Sequence, residues 1–352
     1  MDSTPTSQES SLLTADQLFR LRRCIVLANG KGGVGKTSLT TNLGSLLADA
    51  GYKVLIVDLD SQGNVAINLG FDEDEDRNDE GKAMLEAVML GGTPKPLHGV
   101  RENLDVLPGG SFTNQLTDLI HGDKMRGGVM RGSIARSLAT IAPEYDLILI
   151  DTPPSDAGFI PVDEALLASR WILAPMRPEP KSINGLYSLA KRIESVHEHN
   201  PYVRLLGVIL FGVPSGATRV EKRPRDLLGK TLEGIAPTFS AKIRNVVAAD
   251  ADASFRGQAA HELAADAANQ SPFWQRLKDA VSATPIIASS ASSLAEDYMS
   301  LATEIVAELK TQEERHEAAQ ARTAEQTATH TPSAPPVGAA AEHTAVQAGN
   351  PS

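Results

Sequence analysis

Gly30-Lys31-Gly32-Gly33-Val34-Gly35-Lys36-Thr37 is the stretch of this sequence that decides its fold. An apolar run, residues 24–28, precedes it, and leucines at helical spacing follow it. This order of strand, glycine-rich loop and helix is typical of a phosphate-binding loop, G-x-x-x-x-G-K-[ST]. Its glycines let backbone N–H groups curl around phosphate oxygens, and the helix N-terminus adds positive potential. The pattern predicts that Lys36 reaches the β- and γ-phosphates and that the Thr37 hydroxyl binds Mg²⁺.

Two further apolar runs deliver carboxylates to the ends of strands. Residues 53–57 lead into Asp58 and Asp60, and residues 147–150 lead into Asp151, as in a Walker B motif. Ligands of open α/β sheets gather at the carboxyl ends of the strands. We therefore expect Asp151 to lie beside the loop and to hold Mg²⁺ through water.

A second lysine, Lys31, follows the first glycine of the loop. The form K-G-G-V-G-K-T resembles the deviant Walker A motif of the ParA/MinD family, in which two subunits sandwich two ATP molecules. The resemblance implies that Lys31 crosses the interface to the phosphates of the partner subunit. Asp58 to Asn64 resembles the family segment D-x-D-P-Q-G-N, with Ser61 in place of the proline, and implies that Asp60 orients the attacking water.

The resemblance covers roughly residues 22–256, including a segment from Ala174 to Leu186 that looks like P-x-x-P-E…S-x-x-G-L. It implies a Mg²⁺-dependent ATPase, slow on its own, with three groups of site residues. The catalytic residues are Lys31, Lys36 and Asp60. The ATP-binding residues are Gly32, Gly33, Val34, Gly35, Lys36, Thr37 and Ser38, and the metal-binding residues are Thr37 and Asp151.

Aliphatic runs alternate with helical patterns along the chain, which predicts a doubly wound, mostly parallel α/β fold. The expected strands are 24–29, 53–58, 104–107, 146–151, 171–174, 204–211 and 238–243. We expect an N-terminal extension (1–22) with a short helix capped at Thr14, a P-loop ATPase domain (23–310) and a disordered polar tail (311–352). Residues 257–291 match no known element and are interpreted as an insertion. A capping box at Ser293 predicts the last helix of the domain.

Charge is distributed unevenly along the chain, whose net charge is −11. Residues 71–80 carry −6 and residues 311–352 carry −3, whereas residues 216–244 carry +4. A basic segment suits contact with DNA phosphates, and the absence of aromatic residues between 212 and 238 argues against base stacking. Because ParA-like proteins bind DNA non-specifically as the ATP dimer, the resemblance implies DNA contacts by Arg219, Lys222, Arg223, Arg225 and Arg244.

The remaining composition excludes several classes of protein. One cysteine, Cys24, allows neither an internal disulfide nor an iron–sulfur cluster. No stretch is long and apolar enough for a membrane span, and we expect a cytoplasmic, nucleoid-associated protein. The resemblance implies an ATP-bound homodimer that segregates a plasmid or chromosome with a ParB-like adaptor. A related ATPase that positions a protein cargo, a MinD-like membrane switch and a metabolic P-loop ligase are alternatives.

Overall fold

One sheet forms the core of the described residues, which are 12–126, 128–154, 160–214, 218–270 and 287–329. In this computed structural model the strands of the described residues are β1 (Cys24–Leu27), β2 (Val54–Asp58), β3 (Leu97–Arg101), β4 (Leu104–Leu107), β5 (Leu147–Asp151), β6 (Trp171–Met176), β7 (Arg204–Val213) and β8 (Thr238–Arg244). Their order across the sheet is β3-β4-β2-β5-β1-β6-β7-β8. Only the β3–β4 pair among these strands is antiparallel, which confirms the predicted fold class.

Helices follow most strands and return the chain to the next parallel strand. The described helices are α1 (Ala15–Arg20), α2 (Lys36–Asp49), α3 (Asn64–Leu69), α4 (Lys82–Leu90), α5 (Ser111–Met125), α6 (Ser133–Ile141), α7 (Ile160–Leu167), α8 (Ile183–Val196), α9 (Thr218–Thr231), α10 (Val247–Arg256), α11 (Ala260–Asn269) and α12 (Ala291–Thr329). None of these helices is long and apolar enough to cross a membrane. The chain divides into two units, residues 1–307 and 308–352.

The central strands are buried on both faces. All residues of β1, β2 and β5 are shielded from solvent, as the continuous aliphatic runs of these strands require in a parallel sheet covered by helices. Strand β1 pairs with β5 on one side and β6 on the other. The loop that follows β1 therefore lies at the middle of the carboxyl edge, between the ends of β5 and β6.

All seven predicted strands are present, and the sequence missed β3. Strand β3 is an edge strand whose residues His98 and Gly99 are exposed, so it lacks the aliphatic run that revealed the others. It joins β4 through a tight turn in which Asn103 adopts a positive φ of 59°. The short first helix was predicted correctly, since Thr14 and Gln17 form the expected capping box.

The last helix differs from the sequence prediction at both ends. Helix α12 begins at Ala291, and the backbone N–H of Leu294 already bonds the carbonyl of Ser290, so Ser293 is not its cap. The helix also continues to Thr329, through the first part of the segment 311–352 for which the composition predicts disorder. Alanine, glutamate and glutamine have high intrinsic helix propensity, which favours a helix even without an apolar face. Residues 330–352 lie outside the described residues.

Candidate nucleotide-binding site

The glycine-rich loop joins β1 to α2 at the carboxyl edge of the sheet. Gly33 and Gly35 have positive φ angles of 67° and 85°, which glycine adopts without steric cost. The ring of Phe211, on β7, lies where a side chain at position 35 would be. Both the backbone conformation and this close packing therefore require glycine at position 35.

Lys36 and Thr37 lie in the first turn of α2 and face the end of β5. Lys36 is buried, with 5% of its surface exposed. The Thr37 hydroxyl donates a hydrogen bond of 2.6 Å to Oδ2 of Asp151, and the Thr40 hydroxyl lies 3.3 Å from Oδ1. Burial raises the pKa of Asp151 to about 6, while the bond from Thr37 and the charge of Lys36 act in the opposite direction. A carboxylate and a hydroxyl oxygen thus lie together, and these are ligand atoms that suit Mg²⁺.

A second carboxylate, Asp58, lies directly beside Asp151, because the two residues pair in register between β2 and β5. Its Oδ1 accepts the backbone N–H of Asp60 at 2.8 Å, and its Oδ2 accepts that of Val65 at 3.3 Å. Burial, and then the neighbouring Asp151 carboxylate, raise the pKa of Asp58 well above its usual range. The sequence noted Asp58 without giving it a role, but the structure shows that it fixes the backbone of the loop carrying Asp60.

Asp60 is buried at the start of that loop, with 5% of its surface exposed. Its Oδ1 accepts the backbone N–H of Gln62 at 3.0 Å. Gly109, which follows β4, packs against the same loop. A Cβ at position 109 would lie 2.5 Å from the carbonyl oxygen of Asp60 and 2.6 Å from Cγ of Asp58. The sequence gave no signal for this role of Gly109, because the contact depends on β4 lying beside β2.

Lys31 lies at the exposed lip of the loop and is held by two contacts. Its backbone N–H donates to Oδ1 of Asn29 at 3.1 Å, and its ammonium group pairs with Oε2 of Glu179 at 2.8 Å. This ion pair is about half exposed and holds the pKa of Glu179 below its usual value. Arg177 donates from Nε to the carbonyl of Gly33 at 2.8 Å. The segment after β6 therefore contacts the loop at several points.

The predicted ATP-binding residues, Gly32 to Ser38, all lie in the loop and the first turn of α2. Lys36, Thr37, Asp60 and Asp151 gather at the carboxyl edge of β1, β2 and β5. The structure thus brings together the residues that the sequence grouped from three separate motifs, with Asn29, Asp58 and Gly109 as unpredicted supports.

The candidate DNA-binding residues lie on α9 and β8. Arg225 donates to the carbonyls of Phe239 and Ser240, each at 2.8 Å, and Arg244 forms a two-bond ion pair with Asp297 at 2.6 and 2.7 Å. Both guanidinium groups therefore have structural partners. Arg219, Lys222 and Arg223 belong to α9, but their side chains lie outside the described part of the structure. A role in DNA binding stays a prediction for all five residues.

A glycine-rich loop at the carboxyl edge of a doubly wound sheet, followed by two strand-end carboxylates, defines a P-loop nucleotide-binding protein. A profile of the AAA domain family AAA_31 matches residues 22–205. The chain is 34% identical over 190 residues to the chromosome-partitioning ATPase Soj of Thermus thermophilus, covering 53% of this chain and 68% of Soj. The chain belongs to the ParA/Soj family of AAA-domain ATPases.

Other similarities agree with this family. The chromosome partitioning protein ParA of Myxococcus xanthus is 32% identical over 191 residues, which cover 53% of this chain and 64% of the relative. The matches thus span about two thirds of the length of these two relatives. The solved structure of an aspartate-to-alanine variant of Cyanothece McdA in complex with ATP has a TM-score of 0.60 at 17% identity, and the match covers 81% of this chain and 96% of McdA. That similarity supports the fold.

Proposed function

We propose that this protein is a Mg²⁺-dependent ATPase of the partition type. In this proposal it dimerises with ATP, binds DNA without sequence preference as the dimer, and acts with a ParB-like adaptor over the nucleoid. The observation that carries the proposal is the meeting of Lys36, Thr37 and Asp151 beside a glycine-rich loop with Lys31 at its exposed lip. The names of the relatives, chromosome partitioning protein and chromosome-partitioning ATPase, support the biological role.

The nucleotide chemistry follows from the residues at the sheet edge. Residues 32–38 hold the phosphates of ATP through backbone N–H groups, and Lys36 neutralises the β- and γ-phosphates. The Thr37 hydroxyl donates a hydrogen bond to Asp151, and its lone pairs therefore stay available for a cation. Thr37 and Asp151 would hold a Mg²⁺, which would neutralise charge that develops on the phosphate oxygens. Asp60 accepts a hydrogen bond from the attacking water and orients it toward the γ-phosphate.

Lys31 gives the site its dependence on a second subunit. In the single chain its ammonium group pairs with Glu179, and this exposed pair holds the ammonium group only weakly. Triphosphate oxygens of a facing subunit compete for the same ammonium group with a larger negative charge. A cation supplied across an interface in this way is worth about 10³–10⁵ in rate in other P-loop enzymes. ATP therefore stabilises the dimer, and the dimer in turn completes the site.

DNA binding follows the charge of the chain. The segment 216–244 carries a net charge of +4 and includes helix α9. Arg225 and Arg244 are held by internal contacts, so we assign the principal phosphate contacts to Arg219, Lys222 and Arg223. Such contacts release counterions, and the affinity should fall steeply with salt.

The test measures the two steps separately. Sedimentation velocity with and without ATP reports dimerisation, and filter binding to DNA of arbitrary sequence across a salt series reports the second step. Lys31→Ala should bind ATP, but its dimerisation and its DNA binding should both be much weaker than those of the wild type. Lys82→Ala, which removes another exposed, ion-paired lysine, is the matched control and should behave as the wild type. The double variant Lys222→Ala/Arg223→Ala should dimerise with ATP but lose DNA binding.

Each part of the proposal has an outcome that contradicts it. Dimerisation of Lys31→Ala at wild-type strength would remove the sandwich role of Lys31. No ATP-dependent DNA binding by the wild type at low salt would remove the partition function. ATP-dependent sedimentation with liposomes would favour a membrane-surface switch, and turnover of a small carboxylated substrate would favour a ligase.

A further inference from the structure

Asn29 is a buried amide side chain between the end of β1 and the glycine-rich loop. Only 4% of its surface is exposed. Its Nδ2 donates to the carbonyl of Pro175 on β6, and its Oδ1 accepts the backbone N–H of Lys31 at 3.1 Å. The side chain therefore connects the strand beside β1 to the residue that the proposed function places across the dimer interface.

The first turn of α8 is shaped to leave room for this amide. A Cβ on Gly185 would occupy the position of Asn29 Oδ1. The backbone N–H of Gly30 donates to the carbonyl of Gly185 at 3.4 Å, and a Cβ on Gly30 would lie 2.9 Å from that oxygen. Two glycines thus allow the start of α8 and the start of the loop to touch through their backbones, with the Asn29 amide in the remaining space.

Lys31 needs such a support, because its own backbone is weakly constrained. It lies between Gly30 and Gly32, and glycine reaches many more backbone conformations than other residues. Its side chain is long, flexible and about half exposed, and the ion pair with Glu179 is too exposed to fix it strongly. The partly buried hydrogen bond to Asn29 is therefore the stronger of its two described restraints.

We propose that Asn29 is the positioning residue of Lys31. It holds the backbone of Lys31 in the orientation from which the ammonium group leaves Glu179 and reaches the phosphates of a facing subunit. This inference rests on the proposed function and deepens it. The phosphate cradle proper, Gly33 to Thr37, is held separately by the first turn of α2 and by Phe211 and Arg177. Loss of Asn29 should therefore weaken the step that depends on Lys31 far more than the binding of ATP.

The test compares Asn29→Ala with a matched control elsewhere in the fold. Asn200 is also buried, and its Nδ2 donates to the carbonyls of Leu166, Leu167 and Ser169, which precede β6. Asn200→Ala therefore removes a buried amide of similar burial that lies far from the carboxyl edge. Gly185→Ala is a second test variant, since its methyl group displaces the Asn29 amide without changing the chemistry of Asn29.

Three measurements are made on the full chain: the melting temperature, the Kd of a fluorescent ATP analogue, and ATP-dependent dimerisation by sedimentation velocity. We expect Asn29→Ala and Gly185→Ala to weaken dimerisation by about fivefold or more, the range for a lost buried hydrogen bond. The nucleotide Kd should change by less than about threefold. Asn200→Ala should lower the melting temperature while dimerisation stays at the wild-type value.

The double variant Lys31→Ala/Asn29→Ala tests whether Asn29 acts through Lys31. It should dimerise no more weakly than Lys31→Ala alone, because the positioned group is already absent. An additional loss in the double variant, or equal losses of nucleotide affinity and dimerisation in Asn29→Ala, would show a general structural role and overturn the inference. Should Asn29→Ala fail to fold, Gly185→Ala decides the matter by the same criteria.

The controls separate this inference from the proposed function. If Lys31→Ala dimerises as the wild type does, the sandwich role of Lys31 is wrong and the inference falls with it. If Lys31→Ala is impaired while Asn29→Ala and Gly185→Ala are not, only the inference is wrong.

Discussion

Glu164, on α7, is a fully buried carboxylate that caps another helix. Its oxygens accept the backbone N–H groups of Gly132 at 2.7 Å and Ile134 at 3.4 Å, at the start of α6. Burial raises its pKa to about 7, although these two bonds and the charges of Arg136 and Arg131 favour the ionised form. Desolvation therefore raises the pKa of Glu164 more than the helix N-terminus and the two arginines lower it.

The free energy of unfolding should depend on pH through this residue. Because the folded protein holds the proton of Glu164 more tightly than the unfolded chain does, stability falls as pH rises from about 4.5 to about 7. The contribution is roughly 3 kcal/mol, and it is lost above pH 7. Urea unfolding between pH 4.5 and 8 should show this slope in the wild type and a flatter one in Glu164→Gln. Glu194→Gln, on the exposed face of α8, should keep the slope, and an unchanged slope in Glu164→Gln would contradict the assignment.

At the scale of residues, the sequence identified the groups expected to contact phosphate and missed the groups that support them. Gly35, Lys36 and Thr37 belong to a motif whose spacing follows from the shape of a triphosphate, so the chain alone reveals them. Asn29 and Gly109 act through contacts with β6 and with the loop after β2. Such contacts depend on strand order, which no local pattern encodes.

At the scale of elements, the end of β4 shapes the loop that carries Asp60. Gly109 has no space for a Cβ, because the carbonyl of Asp60 and the carboxyl of Asp58 occupy that position. The length of β4 and the register of its pairing with β2 therefore determine where Asp60 lies.

Gly109→Ala should displace Asp60 and slow ATP hydrolysis. A shift of about 1 Å in a positioning group can cost about 10²-fold in rate, so we expect a decrease of at least about tenfold in kcat. Nucleotide affinity should stay within about threefold, since the glycine-rich loop is not touched. Gly92→Ala is the control, because a Cβ at position 92 meets no atom within 4 Å. Equal activity of the two variants would show that the loop tolerates the methyl group.

Element prediction succeeded where burial is strong and failed where it is weak. The seven predicted strands include the buried aliphatic runs of β1, β2 and β5, whereas the missed β3 is an exposed edge strand. The predicted cap at Ser293 failed because Ser290, three residues earlier, already accepts the first bond of α12. A capping box identifies a helix start only when no earlier residue can take that place.

At the scale of the whole molecule, Arg101 ties the region after Gly257 to the sheet. From β3 it donates to Glu262 on α11 at 2.6 Å, to the carbonyl of Gly257 at 2.8 Å and to that of Leu69 at 3.3 Å. The backbone N–H of Ala260 also bonds Oδ1 of Asn42 on α2 at 2.7 Å. Residues 257–270, interpreted from the sequence as the start of an insertion, thus pack on α2, α3 and β3.

Removal of this anchor should loosen α11 without affecting catalysis. Arg101→Ala loses several partly buried bonds to charged and carbonyl groups, which predicts a loss of about 1–3 kcal/mol. Amide hydrogen exchange should rise in residues 258–269, while ATPase activity stays within about threefold. Arg20→Ala removes a surface pair with Asp16 and should cost less than about 1 kcal/mol. Unchanged exchange in Arg101→Ala would mean that other contacts hold α11.

The sequence predicted the whole-molecule architecture because the alternation of apolar runs and helical patterns leaves few parallel arrangements. It did not predict how residues 257–270 pack. Their attachment depends on Arg101 and Asn42, which lie more than 150 positions earlier in the chain and belong to no recognisable motif.

The pairing of Lys31 with Glu179 has a consequence for the way two copies would come together. In the proposed dimer, the ammonium group exchanges one anionic neighbour for another, so it keeps a counter-charge throughout and loses little additional water. This exchange releases the carboxylate of Glu179, which would then be hydrated or pair with a cation at the edge of the dimer interface. Added salt should weaken both the Lys31–Glu179 pair and the pair that replaces it. Dimerisation should therefore depend less steeply on ionic strength than DNA binding does.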